Sequence, residues 1–114
     1  MSAAPSARRD HERINDIHSA TERIMRYRSS GGDESEVVRD AVLNNLVIIG
    51  EAVGSLSPGI RDLELTVPWR AIKGLRNLLA HEYFQIEMPT IWKVVDVNLP
   101  LLRDAVTRLL ADHT

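Results

Sequence analysis

The apolar residues of this chain recur every three or four positions and nowhere settle into strict alternation. Between residues 36 and 56, Val38, Val42, Asn45, Leu46, Ile49, Val53 and Leu56 fall on one stripe, the repeat of a helix face and not of a strand. Val37, Ala41, Ile48 and Ala52 widen the stripe, so this helix is expected to be central and covered on more than one side. Ile14, Ile17, Thr21, Ile24 and Met25 repeat in the same way over about residues 8–27. Trp69, Ile72, Leu75, Leu79 and Tyr83 do so after Pro68, and Ile91, Trp92, Val95, Leu99, Leu102, Val106, Leu109 and Leu110 after Pro89. The pattern predicts an all-α fold: an antiparallel up-and-down four-helix bundle, with a fifth helix if residues 57–66 form a short turn.

Breakers fall where such a bundle needs them. Ser29-Ser30-Gly31-Gly32 ends the first helix and Ser57-Pro58-Gly59 the second. Asp33 and Glu36 have capping-box spacing ahead of the second helix. Pro68 and Pro89 suit first turns, where the missing N–H costs nothing. Pro100, inside the last apolar repeat, is expected to kink or split that helix. Gly50 and Gly54 lie four apart and leave room for a neighbouring backbone. The length of 114 residues suits a single domain over 1–114. Residues 1–7 are expected to form a loose tail, since they lack the apolar stretch of a signal peptide.

Composition removes several function classes. The absence of cysteine excludes disulfides, thiolate metal sites and a cysteine nucleophile. With two Trp, two Tyr and one Phe, a base-stacking platform is not expected. No apolar run is long enough to span a membrane, and the expected address is the cytoplasm. The net charge of −2 is not that of a general nucleic-acid binder. Its distribution is uneven. Residues 1–30 carry six basic and four acidic side chains, residues 31–66 two and seven, and residues 67–114 six and five. An anionic ligand is therefore expected at the two ends of the chain and not at its middle.

The chemistry concentrates in Arg76-Asn77-Leu78-Leu79-Ala80-His81-Glu82-Tyr83-Phe84. On a straight helix Asn77 and His81 lie about 40° apart, whereas Arg76 and His81 lie about 140° apart. Arg76 and His81 meet only if the helix loosens near His81 or a second copy supplies one of them across a two-fold axis. Arg70, Lys73 and Arg76 step round the helix by about 60° each and make a basic stripe beside the motif. Such a set suits transfer at a phosphodiester. Histidine exchanges a proton near neutral pH, and an arginine fork stabilises charge on phosphate oxygens. In RNA the 2′-hydroxyl is an internal nucleophile, so no metal is required. The four histidines, at 11, 18, 81 and 113, include no i, i+3 or i+4 pair, and no metal site is expected. Plainer roles compete: Arg76 as an ion-pair partner of Glu51, His81 as a packed or capping residue, and Tyr83 and Phe84 as core.

Taken in order, Ile49-Gly50-Glu51-Ala52, Leu56-Ser57, Pro68-Trp69, Arg76-Asn77-x-x-x-His81-x-Tyr83-Phe84 and Leu99-Pro100-x-Leu102 resemble the HepT-like toxins of the HEPN superfamily. The similarity covers about residues 8–110, and Arg76 to Tyr83 matches the R-x4-H-x-Y pattern of that family. The resemblance implies a helical bundle that forms a homodimer and acts, without metal or other cofactor, as the ribonuclease toxin of a toxin–antitoxin pair. It implies that Arg76 and His81 are the catalytic pair, with Asn77 orienting them, in a cleft lined by both subunits. It implies a partner similar to MntA, a minimal nucleotidyltransferase that neutralises the toxin by adding AMP to Tyr83. Arg70 and Lys73 are then candidates for holding RNA phosphates. The alternative is a non-catalytic helical partner that binds such a nucleotidyltransferase and its substrate. A purely structural bundle leaves the Arg, Asn, His and Tyr cluster unexplained.

Overall fold

The structure, a computed structural model, describes residues 5–30 and 35–112, with side chains from residue 8 onward. Five helices follow in order: α1 Pro5–Ser29, α2 Glu36–Gly54, α3 Pro58–Asp62, α4 Trp69–Glu82 and α5 Met88–Asp112. There is no strand among the described residues. The connector between the second and third long helices does fold, as α3.

Cross-helix pairs give the direction of each helix. Asp10 meets Ser57 and Arg23 meets Asn45, so α1 and α2 run antiparallel. Asp40 meets Tyr83 and Glu51 meets Arg76, so α2 and α4 do too. Arg28 pairs with Asp96 and Glu22 with Arg103, which sets α5 against α1 in the same sense. The main packing contacts are α1 with α2, α1 with α5, and α2 with α4. Helix α4 therefore leans on α2 and keeps its far side open.

The core is the set of stripes read from the sequence. Ile14, Ile17 and Ile24 of α1, Val42, Leu46, Ile49 and Val53 of α2, Ile72 and Leu79 of α4, and Val95, Leu99, Leu102, Val106 and Leu109 of α5 are all buried. Full burial of each such side chain contributes about 1.5–3 kcal/mol. Val37, expected to widen the α2 stripe, is instead 79% exposed. Two polar side chains sit inside with partners. Asn45 accepts from Arg23 Nε at 2.7 Å and donates to the Ala41 carbonyl at 2.8 Å. Asp10 accepts from the Ser57 backbone N–H at 2.9 Å and from the Ser57 hydroxyl.

Four boundary readings change. Helix α1 starts at Pro5 and takes in residues 5–7 of the expected tail; proline is well placed in a first turn. Ser35 caps α2, accepting from the Val38 N–H at 3.3 Å, while Asp33 lies outside the described residues. Pro68 is the N-cap of α4, one residue ahead of its expected place. Pro100 does not split α5, which is helical from Met88 to Asp112. Pro100 is exposed, so the carbonyl it leaves unbonded, that of Asp96, can turn to water.

Candidate active site on α4

Helix α4 binds to α2 through Ile72 and Leu79, with Trp69 and Leu75 partly covered. The approach is closest at Gly50. A Cβ there would stand 3.2 Å from the Arg76 backbone nitrogen, 3.3 Å from Arg76 Cβ and 3.4 Å from the Ile72 carbonyl. The missing side chain thus seats the backbone of Arg76 directly on α2. Gly54, one turn on, lies against the Lys73 methylenes at 3.6–3.9 Å.

Arg76 Nε donates to Glu51 Oε1 at 3.0 Å, and the two side chains are 57% and 55% exposed. An ion pair this wet adds little stability. Its effect is on aim, because it fixes one edge of the guanidinium and leaves both terminal nitrogens without a partner among the described residues. Arg76 and Glu51 line an open groove of about 480 Å³ with Gly50, Gly54, Ser55, Lys73 and Asn77. The planar fork of an arginine so held matches two phosphate oxygens.

His81 lies elsewhere. Helix α4 is regular through Glu82, so the loosening that could have turned His81 toward Arg76 does not occur. The two stay about 140° apart and roughly 7.5 Å along the axis. His81 is exposed, and its ring has no hydrogen bond or ion pair with the described residues. It belongs to the side of α4 turned from α2, with Arg70 and Gly74, both exposed. A Cβ at Gly74 would meet nothing within 4 Å. One chain therefore brings Arg76, Asn77 and Lys73 to one groove and leaves His81 and Arg70 outside it.

Tyr83 returns to the α2 side and forms the C-cap of α4. Its hydroxyl donates to Asp40 Oδ1 at 2.8 Å. The Arg39 guanidinium stands 5.2 Å from the Tyr83 ring centroid and donates to the carbonyls of Tyr83 and Ile86, the latter at 3.1 Å. Arg39 thereby satisfies the carbonyl of the α4 cap residue and one in the linker that follows it. Partial burial, the bond from the hydroxyl to Asp40 and the charge of Asp40 raise the Tyr83 phenol above its ordinary pKa of 10.0. Phe84, a candidate for the core, is 92% exposed and touches Tyr83 edge-on, with ring centroids 5.3 Å apart.

Arg39 and Asp40 were not singled out in the sequence. They sit in the second turn of α2, 44 and 43 residues from Tyr83, and only the antiparallel pairing of α2 with α4 brings them together. Among the described residues no three His, Asp or Glu side chains gather as metal ligands, and no helix is long and apolar enough to cross a membrane.

The family model "Ribonuclease HepT-like" matches residues 14–109. The chain belongs to the HepT-like ribonuclease family. Its relatives include a protein of Methanocaldococcus jannaschii named "Putative RNase", 38% identical over 63% of this chain and 66% of that one. A protein of the same description from Caldanaerobacter subterraneus is 38% identical over 65% of this chain and 66% of its own. The "Probable ribonuclease HepT" of Thermococcus cleftensis is 33% identical over 60% of this chain and 63% of its own. The similarity thus spans just under two thirds of these HepT-like relatives. No solved structure matches the chain.

Proposed function

We propose that this HepT-like chain is an endoribonuclease that cuts RNA without a metal ion, in a cleft completed by a second copy of itself. The observation that carries the reading is the division of labour on α4. Arg76 offers free guanidinium nitrogens in a groove, and His81 stands unpartnered on the far side of the same helix. Two copies that meet across their α4 helices complete the pair that one copy leaves apart. Gly74 and Ala71, small and exposed, favour such a close approach.

In the reaction the 2′-oxygen of a ribose attacks the adjacent phosphorus as one His81 takes its proton. The P–O5′ bond breaks, and the departing oxygen receives a proton from the His81 of the other copy. The products are a 2′,3′-cyclic phosphate and a 5′-hydroxyl. Arg76 holds the non-bridging oxygens and stabilises the charge that builds on them. Asn77 orients the phosphate, and Lys73 and Arg70 hold flanking phosphates.

The same reading makes the chain a toxin, neutralised by a nucleotidyltransferase that transfers AMP to Tyr83. The exposure of Asp40, 52% for its side chain, leaves the phenol within reach of such a partner. The bound AMP brings bulk and negative charge to the side of α4 that carries Arg76, which repels an anionic substrate.

The test is RNA cleavage by the unmodified protein in EDTA, with product ends read by mass and dimerisation by sedimentation. His81→Ala and Arg76→Ala are each expected to abolish cleavage and growth inhibition while leaving the dimer. Gly74→Trp is expected to leave the helical content intact and lose both dimer and cleavage. Cleavage of wild-type strength by His81→Ala refutes the assignment. A second intact mass, from protein expressed beside the nucleotidyltransferase, is expected to rise in AMP-sized steps that Tyr83→Phe removes.

A further inference from the structure

Beside the Arg76 groove lies a second one, of about 370 Å³, lined by Pro58, Arg61, Asp62, Trp69, Arg70 and Lys73. The two share Lys73. The walls are fixed: the Trp69 indole N–H donates to the carbonyls of Arg61 at 3.1 Å and Glu64 at 3.0 Å, tying α3 and its following turn to the first turn of α4. Three cations line this groove against one acid, Asp62. Arg61, Arg70 and Lys73 have no ion-pair partner among the described residues, whereas Arg76, Arg103 and Arg108 each hold a carboxylate. The Nε of Arg61 is also buried without a hydrogen bond. A buried donor left open is costly unless something accepts from it, and an anion is the natural acceptor.

We propose that this second groove is a phosphate subsite for single-stranded RNA, with Arg61 its main ligand. It extends the run Arg76, Lys73, Arg70, which climbs roughly 9 Å along α4, onto α3. The substrate strand thus leaves the Arg76 groove over Lys73, and a neighbouring phosphate is held by Arg61 and Arg70. Trp69 forms a wall beside it. The subsite deepens the ribonuclease reading and rests on it for the identity of the ligand. It also places an anion-binding residue in the acidic middle of the chain, where charge counting expects none.

The experiment measures binding apart from chemistry. The probe is a fluorescent single-stranded oligoribonucleotide, read by anisotropy at several salt concentrations with His81→Ala protein. Adding Arg61→Gln is expected to flatten the slope of log K against log salt by about 0.7, the loss of one phosphate contact. At 0.15 M salt that is about a fourfold weaker affinity. Arg61→Lys is expected to keep the slope, which separates charge from packing, and circular dichroism confirms that each variant is folded. In otherwise wild-type protein, Arg61→Gln is expected to raise KM on a long RNA with kcat unchanged, and to leave a dinucleotide substrate unaffected.

An unchanged slope in Arg61→Gln, or the absence of salt-dependent RNA binding by His81→Ala protein, overturns the subsite. If cleavage proceeds while Arg61 is silent, the subsite falls and the ribonuclease stands. If no RNA is cut by the wild type but the slope responds to Arg61, the groove stands as an RNA site and the ribonuclease reading falls.

Discussion

Replacing Gly50 by alanine sets two known effects against each other at one atom. Alanine stabilises a helix interior by about 1 kcal/mol over glycine. The new Cβ, however, would stand 3.2 Å from the Arg76 backbone nitrogen and 3.4 Å from the Ile72 carbonyl. Neither is a flexible side-chain tip, so α4 must move away from α2 by a few tenths of an ångström. Overpacking of this kind costs about 1–3 kcal/mol. The balance is a loss of about 1 kcal/mol, or about 4 °C in Tm for a domain of this size. Gly54→Ala is the control. Its Cβ meets only Lys73 methylenes, at 3.6 Å and beyond, and it ends α2, so it is expected to gain about 0.5 kcal/mol. Thermal melts of both variants decide the matter, and the opposite signs are the diagnostic. If Gly50→Ala melts above the wild type, then α2 and α4 do not touch at Arg76, and the seating of the guanidinium beside Glu51 needs another cause.

Two further expectations follow from the same packing. Asp10→Ala removes the carboxylate that takes both the backbone N–H and the hydroxyl of Ser57, and is expected to cost about 1.5–3 kcal/mol in urea unfolding; a change below about 0.5 kcal/mol would remove Asp10 as the tie between α1 and the α2–α3 turn. The raised pKa of Tyr83 means that the folded chain favours the neutral phenol, so its contribution to stability is full below pH 10 and is lost as pH rises through the folded-state value. Asp40→Ala is expected to bring the midpoint of a Tyr83 NMR titration down toward 10 but not to it, because burial, the largest cause, remains; an unmoved midpoint refutes the bond to Asp40.

What could be read from the sequence was whatever a helix decides locally. Ile14 and Ile17, or Val42 and Leu46, declare a buried face by spacing alone, and their burial follows from the period. Gly50 and Gly54 likewise announce a close neighbour, though not which one. The Arg76–Glu51 pair was accessible because Glu51 interrupts an apolar run and needs a reason to be there. Other contacts between helices remote in sequence were not accessible. Arg39 and Asp40 look like two ordinary charges near the start of α2 until α4 is laid antiparallel beside it. Tyr83, two turns beyond Arg76, then falls opposite Asp40 by the same register that puts Arg76 opposite Glu51. Phe84 shows the converse error: it is apolar and adjoins a half-buried tyrosine, but the step of about 100° from Tyr83 points it away from α2. His81 falls on the outer side by the same arithmetic, which was legible in advance and held because α4 stays regular through Glu82. Under the proposed ribonuclease reading, that regularity is why Arg76 and His81 can act on one phosphate only with a second copy of the chain, for no rotation of either side chain on a straight helix replaces half a turn of backbone.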